Sequence, residues 1–172
     1  MAIDDCRSLP FQSLKDHRGT LAVVEGTRHV PFPIERVFYL LGVPEGQGRG
    51  AHAHKELHQV LVAIHGQVRI EIADGAQRRE ITLDDPTVGF HAVPMTWVDL
   101  VWFSSDAVVL VFASATYDEA DYLRNWSVFL TEVESRKSRG APREEKALAG
   151  SSLPARTDLP TVCQRSLNAP GV

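Results

Sequence analysis

The chain has 172 residues, 44% hydrophobic and 23% charged, with a formal net charge of −4, which fits one globular domain with room for a short tail. Without a global basic field, nucleic acid is not an expected partner, and without a run of about 18 apolar residues no membrane span or membrane partner is expected. The opening residues MAIDDCRSLP lack the basic-then-apolar pattern of a secretory signal, and Cys6 and Cys163 lie near opposite ends outside any CxxC pattern. Both features read as a cytoplasmic protein with free thiols.

Strand signals begin with TLAVVEG (20–26) and RVFYLLGV (36–43). QVLVAIHG (59–66), QVRIEIADG (67–75), REITL (79–83) and VGFHAVP (88–94) follow, then TWVDLVWFS (96–104) and AVVLVFASA (107–115). These runs are short and β-branched or aromatic, several alternate with period two, and Gly, Pro, Asp or Ser separates them. Asp74-Gly75 predicts the turn of a hairpin. So many short strands at close spacing predict an all-β antiparallel sandwich or barrel, and a jelly roll fits their number. Residues 118–135 differ: Tyr122, Trp126, Phe129 and Val133 recur at helical spacing behind Asp118. That pattern predicts an amphipathic helix capped by Asp118 and packed on the barrel. Residues 136–172 contain no aromatic residue and are rich in Pro, Gly, Ser and Arg, so a domain over 1–135 and a flexible C-terminal tail are expected.

The chemistry concentrates in GRGAHAHKELHQVLVAIHG (48–66), which holds His52, His54, His58 and His65. On an extended strand His52 and His54 share a face, with Ala51, Ala53 and Lys55 on the other. Gly48 and Gly50 let the backbone bend or be closely approached. If that face looks inward, two imidazoles project into one cavity between small neighbours. Metal binding and proton transfer are both open to such a pair. A histidine changes charge near neutral pH, so two of them over one substrate can take a proton and return it. The spacing also resembles the first metal motif of the cupin barrels, but with Gln59 in place of the carboxylate. Where the second motif has a Gly and a His, this chain has Thr96 and Asp99. A neutral amide is a poor ligand for a divalent cation. A metal site would need His58 or Asp99 to complete it.

The resemblance becomes more specific over the strings DHRGTLAVVE, VPFPIERVFYLLGVP, RGAHAHKELHQVLVAIHGQVRI, ITLDDPTVGFHAVPMTW, FSSDAVVLVFAS and YDEADYLRNWSVF. In this order they are similar to the nucleotide-sugar 3,4-ketoisomerases of the FdtA/QdtA (WxcM-like) type. The resemblance implies a cupin-type jelly-roll homodimer without an obligatory metal or other cofactor. It implies isomerisation of a dTDP-4-keto-6-deoxyhexose to the 3-keto sugar through an enediol, with His52 and His54 as the catalytic pair. The preferred assignment makes His54 the base at C3, with exchange of the two roles left open. Arg18, Arg36, Tyr39, Arg49, Gln59, Arg69 and Trp97 match residues in or near the family's substrate site, and His91 stands where a Tyr is often found. Arg18 and Arg49 are the first candidates for the pyrophosphate, because a guanidinium binds phosphate oxygens bidentately. Val98 departs from the family, whose members commonly carry a His or Arg there that helps set the configuration at C4. A metal-dependent cupin and a non-catalytic nucleotide-sugar-binding cupin are the alternatives.

Overall fold

A computed structural model describes residues 2–44 and 46–140. A short helix, α1 (Ala2–Asp5), precedes strands β1 (Arg7–Pro10), β2 (Gln12–Asp16), β3 (Gly19–Val23), β4 (Arg36–Leu41), β5 (Arg49–His54) and β6 (Gln59–His65). Then come β7 (Val68–Ala73), β8 (Arg78–Leu83), β9 (Val88–Ala92), β10 (Trp97–Phe103) and β11 (Val108–Ala113). A 3-10 turn (Glu119–Asp121), β12 (Tyr122–Leu123) and α2 (Trp126–Gly140) close the described chain. One sheet has the order β1-β9-β6-β11-β4, the other β12-β5-β10-β7-β8, and β2 and β3 pair only with each other. Neighbouring strands are antiparallel throughout, so the expected all-β double-sheet architecture is present.

Alternation decides what each sheet buries. Leu61, Ala63, Phe90, Val109 and Val111 from the first sheet meet Val68, Ile70, Ile72, Val98, Leu100 and Phe103 from the second. Burial of side chains of this size contributes about 1.5–3 kcal/mol each against exposure, and this shared layer is the main apolar term holding the sheets together. The Asp74-Gly75 hairpin forms as expected between β7 and β8. Asp74 Oδ1 accepts from the N–H groups of Ala76 (3.0 Å) and Gln77 (2.9 Å). Gly75 takes φ +87°, where a side chain would be strained.

Two sequence expectations need correction. The segment from Asp118 is not a helix at its start: Asp118 caps only the 3-10 turn, through its side chain on the Ala120 N–H. Tyr122 and Leu123 then pair with His54 and Ala53 of β5. An aromatic and an apolar residue beside an unpaired strand edge gain more from the ladder than from continuing a helix. Helix α2 starts at Trp126, with the Asn125 side chain accepting from the Val128 N–H at 3.1 Å. It also runs past the expected boundary, through Gly140. The rest of the tail, with Cys163, lies outside the described residues, while Cys6 is a free thiol. None of the described helices is long and apolar enough to cross a membrane.

Candidate active site

Strand β5 reaches the site through a bulge. Val98 of β10 pairs with His52 and Asp99 with Gly50, so Ala51 is the extra residue. Gly50 (φ +98°) and Ala51 (φ +51°) both adopt positive φ there, which kinks the strand and re-aims the side chains from His52 onward. A Cβ on Gly50 would sit 2.9 Å from the Val98 carbonyl oxygen, so the approach of β5 to β10 needs a glycine. Beyond the bulge Ala53 packs with Met95, Leu123 and Phe129. His52 and His54 share the other face, as expected, with their Nε2 atoms 3.2 Å apart.

Asp121 organises the pair from behind. Its Oδ2 accepts from His54 Nδ1 at 2.8 Å, while Oδ1 accepts from the Glu56 N–H at 2.8 Å. This assigns the tautomers. With the hydrogen of His54 on Nδ1, its Nε2 is the acceptor, so His52 donates through Nε2. The Gln59 amide nitrogen, 3.3 Å from His54 Nε2, adds a weaker donor. Nδ1 of His52 lies beside the Gly50 carbonyl without a hydrogen bond of ordinary geometry. Burial is the largest influence on both imidazoles, favouring the neutral form over the charged one. It holds His54 at about 4 against the opposing pull of Asp121, and it lowers His52 as well. Both are therefore neutral at pH 7, and the nitrogen without a hydrogen is Nε2 on His54, which accepts from His52, and the buried Nδ1 on His52.

His52 faces a cavity of about 140 Å³ between the sheets, whereas His54 stands one layer behind it. Phe38, Leu40, Leu61, Val98, Leu100 and Val111 make most of the wall, and Arg49, Gln59 and Tyr122 supply the polar remainder. The ring of Tyr122 packs on both imidazoles, with centroids 4.9 Å from His52 and 4.3 Å from His54. The Arg124 guanidinium lies 4.2 Å from the Tyr122 ring centre and is held by two 2.9 Å bonds to Glu119.

The cavity gathers only part of the sequence-expected set. His52, Arg49 and Gln59 line it, and His54 touches it through His52. Arg36 is on the same face of β4 as Phe38 and Leu40, with its buried Nε making no hydrogen bond. The others point elsewhere. Trp97 packs under α2 against Trp126 and Phe129, at 5.1 and 5.5 Å between ring centres. Tyr39 is on the outer face of β4 and 63% exposed. Arg69 lies over Trp102 on the outside of its sheet, near Glu80. His91 turns away from the cavity toward Phe32 and accepts or donates to His58 at 3.0 Å. Arg18 sits at the tip of the β2–β3 hairpin, bound to Asp16 at 3.0 Å. The two side chains that would complete a cupin metal set are also elsewhere: His58 is engaged with His91, and Asp99 pairs with Glu71 across the outer face. Among the described residues no three His, Cys, Asp or Glu side chains converge as a metal site. Asp121 and Tyr122 were not expected in the site, although the string YDEADYLR that carries them was part of the resemblance.

A two-sheet jelly roll with a buried histidine pair over an interior cavity places the chain among the cupin-like proteins. The FdtA family model, described as WxcM-like, C-terminal, matches residues 4–134, and the chain belongs to that family. It is 44% identical over 119 residues, 69% of this chain and 86% of the relative, to TDP-4-oxo-6-deoxy-alpha-D-glucose-3,4-oxoisomerase of Aneurinibacillus thermoaerophilus. Among solved structures it resembles the sugar 3,4-ketoisomerase QdtA of Thermoanaerobacterium thermosaccharolyticum in complex with TDP. That match has 37% identity and a TM-score of 0.75, over 76% of this chain and 96% of that one. A histidine-to-asparagine variant of QdtA in complex with TDP-4-keto-6-deoxyglucose matches at 37% identity and TM-score 0.75, over 76% and 95% of the chains.

Proposed function

We propose that this protein is a cytoplasmic dTDP-4-keto-6-deoxyhexose 3,4-ketoisomerase that moves the ketone by histidine acid–base catalysis. The observation that carries the mechanism is the row Asp121–His54–His52, which ends on a cavity with a mostly apolar wall. In a 4-keto sugar the C3 hydrogen is acidified by the adjacent carbonyl. His52, the imidazole at the cavity, takes that proton, and the electron pair of the C3–H bond forms the C3–C4 double bond of an enediolate with the charge on O4. The O3 proton then moves to O4, and the C3 carbonyl forms as C4 takes the proton back from the imidazolium. This reverses the preferred sequence-based assignment of base, because His54 stands behind His52. Asp121 holds His54, and His54 holds His52, in one orientation and tautomer. Arg49 at the cavity and Arg36 beside it are the cations for the pyrophosphate. The decisive experiment is incubation with dTDP-4-keto-6-deoxyglucose in D2O, followed by NMR. Deuterium exchange at C3 together with a new 3-ketone is expected, and an unchanged sugar that still binds would leave a binding protein.

Val98 is the cross-strand partner of His52 and lines the same cavity. It cannot donate a proton, so the C4 proton comes from the wall that carries His52. Val98→His adds a second titratable group beside the sugar and is expected to change the rate or the ratio of C4 epimers, read by NMR of the product. Identical rate and product would place the reacting carbons away from β10.

The homodimer belongs to the same proposal. Leu14 and Leu21 on the β2–β3 hairpin are each 59% exposed, and Val37, Tyr39, Leu41 and Ile64 lie open on the outside of the β4 sheet. An apolar arm and an apolar sheet face with a free strand edge are the features that pairing with a second copy covers. Sedimentation at micromolar concentration is expected to show a dimer, and Leu14→Glu with Leu21→Glu to shift it toward monomer. A monomer in the parent protein refutes the assignment.

A further inference from the structure

The atoms around His54 Nε2 have the spacing of a metal-ligand set. His52 Nε2 lies 3.2 Å from it and the Gln59 amide nitrogen 3.3 Å. Two ligand atoms on one cation, with bonds of about 2.0–2.1 Å, stand roughly 2.9–3.4 Å apart between octahedral and tetrahedral angles. The outer groups that orient ligating histidines are present as well. The Asp121 carboxylate sits on Nδ1 of His54, and the Gly50 carbonyl lies beside Nδ1 of His52. His52 and Gln59 both line the cavity, which leaves room for water or another ligand on that side.

The donor set fails at its third member. Asp121 puts the hydrogen of His54 on Nδ1, so Nε2 is an acceptor and Gln59 turns its NH2 group toward it. An amide NH2 offers hydrogens and no lone pair to a cation. From this arrangement we infer that Gln59 is the residue that keeps divalent metal off the histidine pair, by filling the third ligand position with a hydrogen-bond donor. A carboxylate of the same shape does the reverse. It cannot donate to His54 Nε2, and its charge and lone pairs face that atom. The His52 hydrogen then moves to Nδ1, beside the Gly50 carbonyl, and three ligands surround one point. Gln59 is only 7% exposed, and opposite charges attract more strongly away from water. The small Ala92 and Ala113 flank it in the ladder, so a glutamate takes the same path. A metal ion would hold both imidazoles as ligands and end their acid–base role. Gln59 therefore decides whether the pair serves protons or a cation, and this stands whether or not a keto sugar is the substrate.

The test is binding of cobalt(II) and zinc(II) to the full chain after treatment with a chelator. Gln59→Glu is expected to hold cobalt at least about 100-fold more tightly than the parent, because a buried carboxylate adds a full charge to the ligand set. The cobalt complex is expected to show visible d–d absorption that the parent lacks, and zinc to raise the thermal midpoint of the variant. Adding His54→Asn to Gln59→Glu is expected to abolish that absorption, which ties the ion to the pair and not to a surface histidine. A folded Gln59→Glu that binds cobalt no better than the parent overturns the inference. So does a parent that binds it as tightly as the variant, or an absorption that survives His54→Asn. If Gln59→Glu does not fold with or without zinc, Gln59→His decides, because its imidazole brings a lone pair without a buried charge. Several-fold tighter cobalt binding than in the parent then supports the inference, and parent-like binding overturns it. Every outcome is read on the metal, so failure of the ketoisomerase reading in the D2O experiment leaves this test intact.

Discussion

His54→Asn is expected to lower kcat for isomerisation by about 10²–10⁴-fold, the usual contribution of a positioned acid–base group, while dTDP binds nearly as before. Asparagine can occupy the space and keep a hydrogen bond to Asp121, but it cannot gain or lose a proton near neutral pH. His52→Asn is expected to cost at least as much, because His52 is the imidazole that faces the cavity. Neither histidine is a candidate for the phosphates, which fall to Arg49 and Arg36, so the loss appears in kcat and not in the dissociation constant for dTDP. The pair acts as a unit, and the double variant is expected to be little worse than His52→Asn alone. Steady-state kinetics with a parallel dTDP titration checks this, and parent-like turnover in His52→Asn would remove the pair from the mechanism.

The two-residue spacing of His52 and His54 was legible because a strand has only two faces and the pair occupies one of them. The same rule was available at His91, where apolar Phe90 and Ala92 flank it and claim the interior. Resemblance placed His91 in a site-forming stretch but said nothing of the face it takes, and alternation puts it outside. Trp97 and Tyr39 were harder. In TWVDLVWFS and RVFYLLGV large apolar residues occupy both faces, Trp97 because α2 covers it and Val37, Tyr39 and Leu41 on the open outer face of β4, so period two carries no preference there. Asp121 was invisible for a different reason. It meets His54 across 67 positions of sequence, and an acidic residue just after a capping Asp reads as the first turn of a helix. Its function depends on the 3-10 turn and on β12, which form only because β5 offers a free edge. Local propensity could not report a pairing made by tertiary structure.

Folding stability is expected to fall steeply between pH 6.5 and about 4, before most carboxylates titrate. Burial is the first cause of a lowered pKa at His52, His54, His58 and His91, and it brings His54 and His91 to about 4. In the unfolded chain a histidine titrates near 6.5. Through that window the unfolded state therefore binds protons that the folded state refuses, so stability rises with pH and is lost on acidification. Each pKa unit is worth about 1.4 kcal/mol, so His54 and His91 each bring a loss of roughly 3 kcal/mol by pH 4. Together they approach the whole stability of a typical domain, about 5–15 kcal/mol. Asp99, whose carboxyl is raised mainly by burial, works the other way, since a raised acid stabilises the fold as it protonates. The urea midpoint is expected to drop progressively at pH 7, 6 and 5, with the slope divided between the cavity pair and the outer pair. His91→Tyr removes one of these groups on the outside of the sheet. It is expected to flatten the midpoint curve while leaving isomerisation at pH 7 unchanged, because His91 faces Phe32 and His58 rather than the sugar. A midpoint that does not move between pH 7 and 5 would mean that these histidines are solvated in the folded protein, and the packing of both pairs would then be wrong.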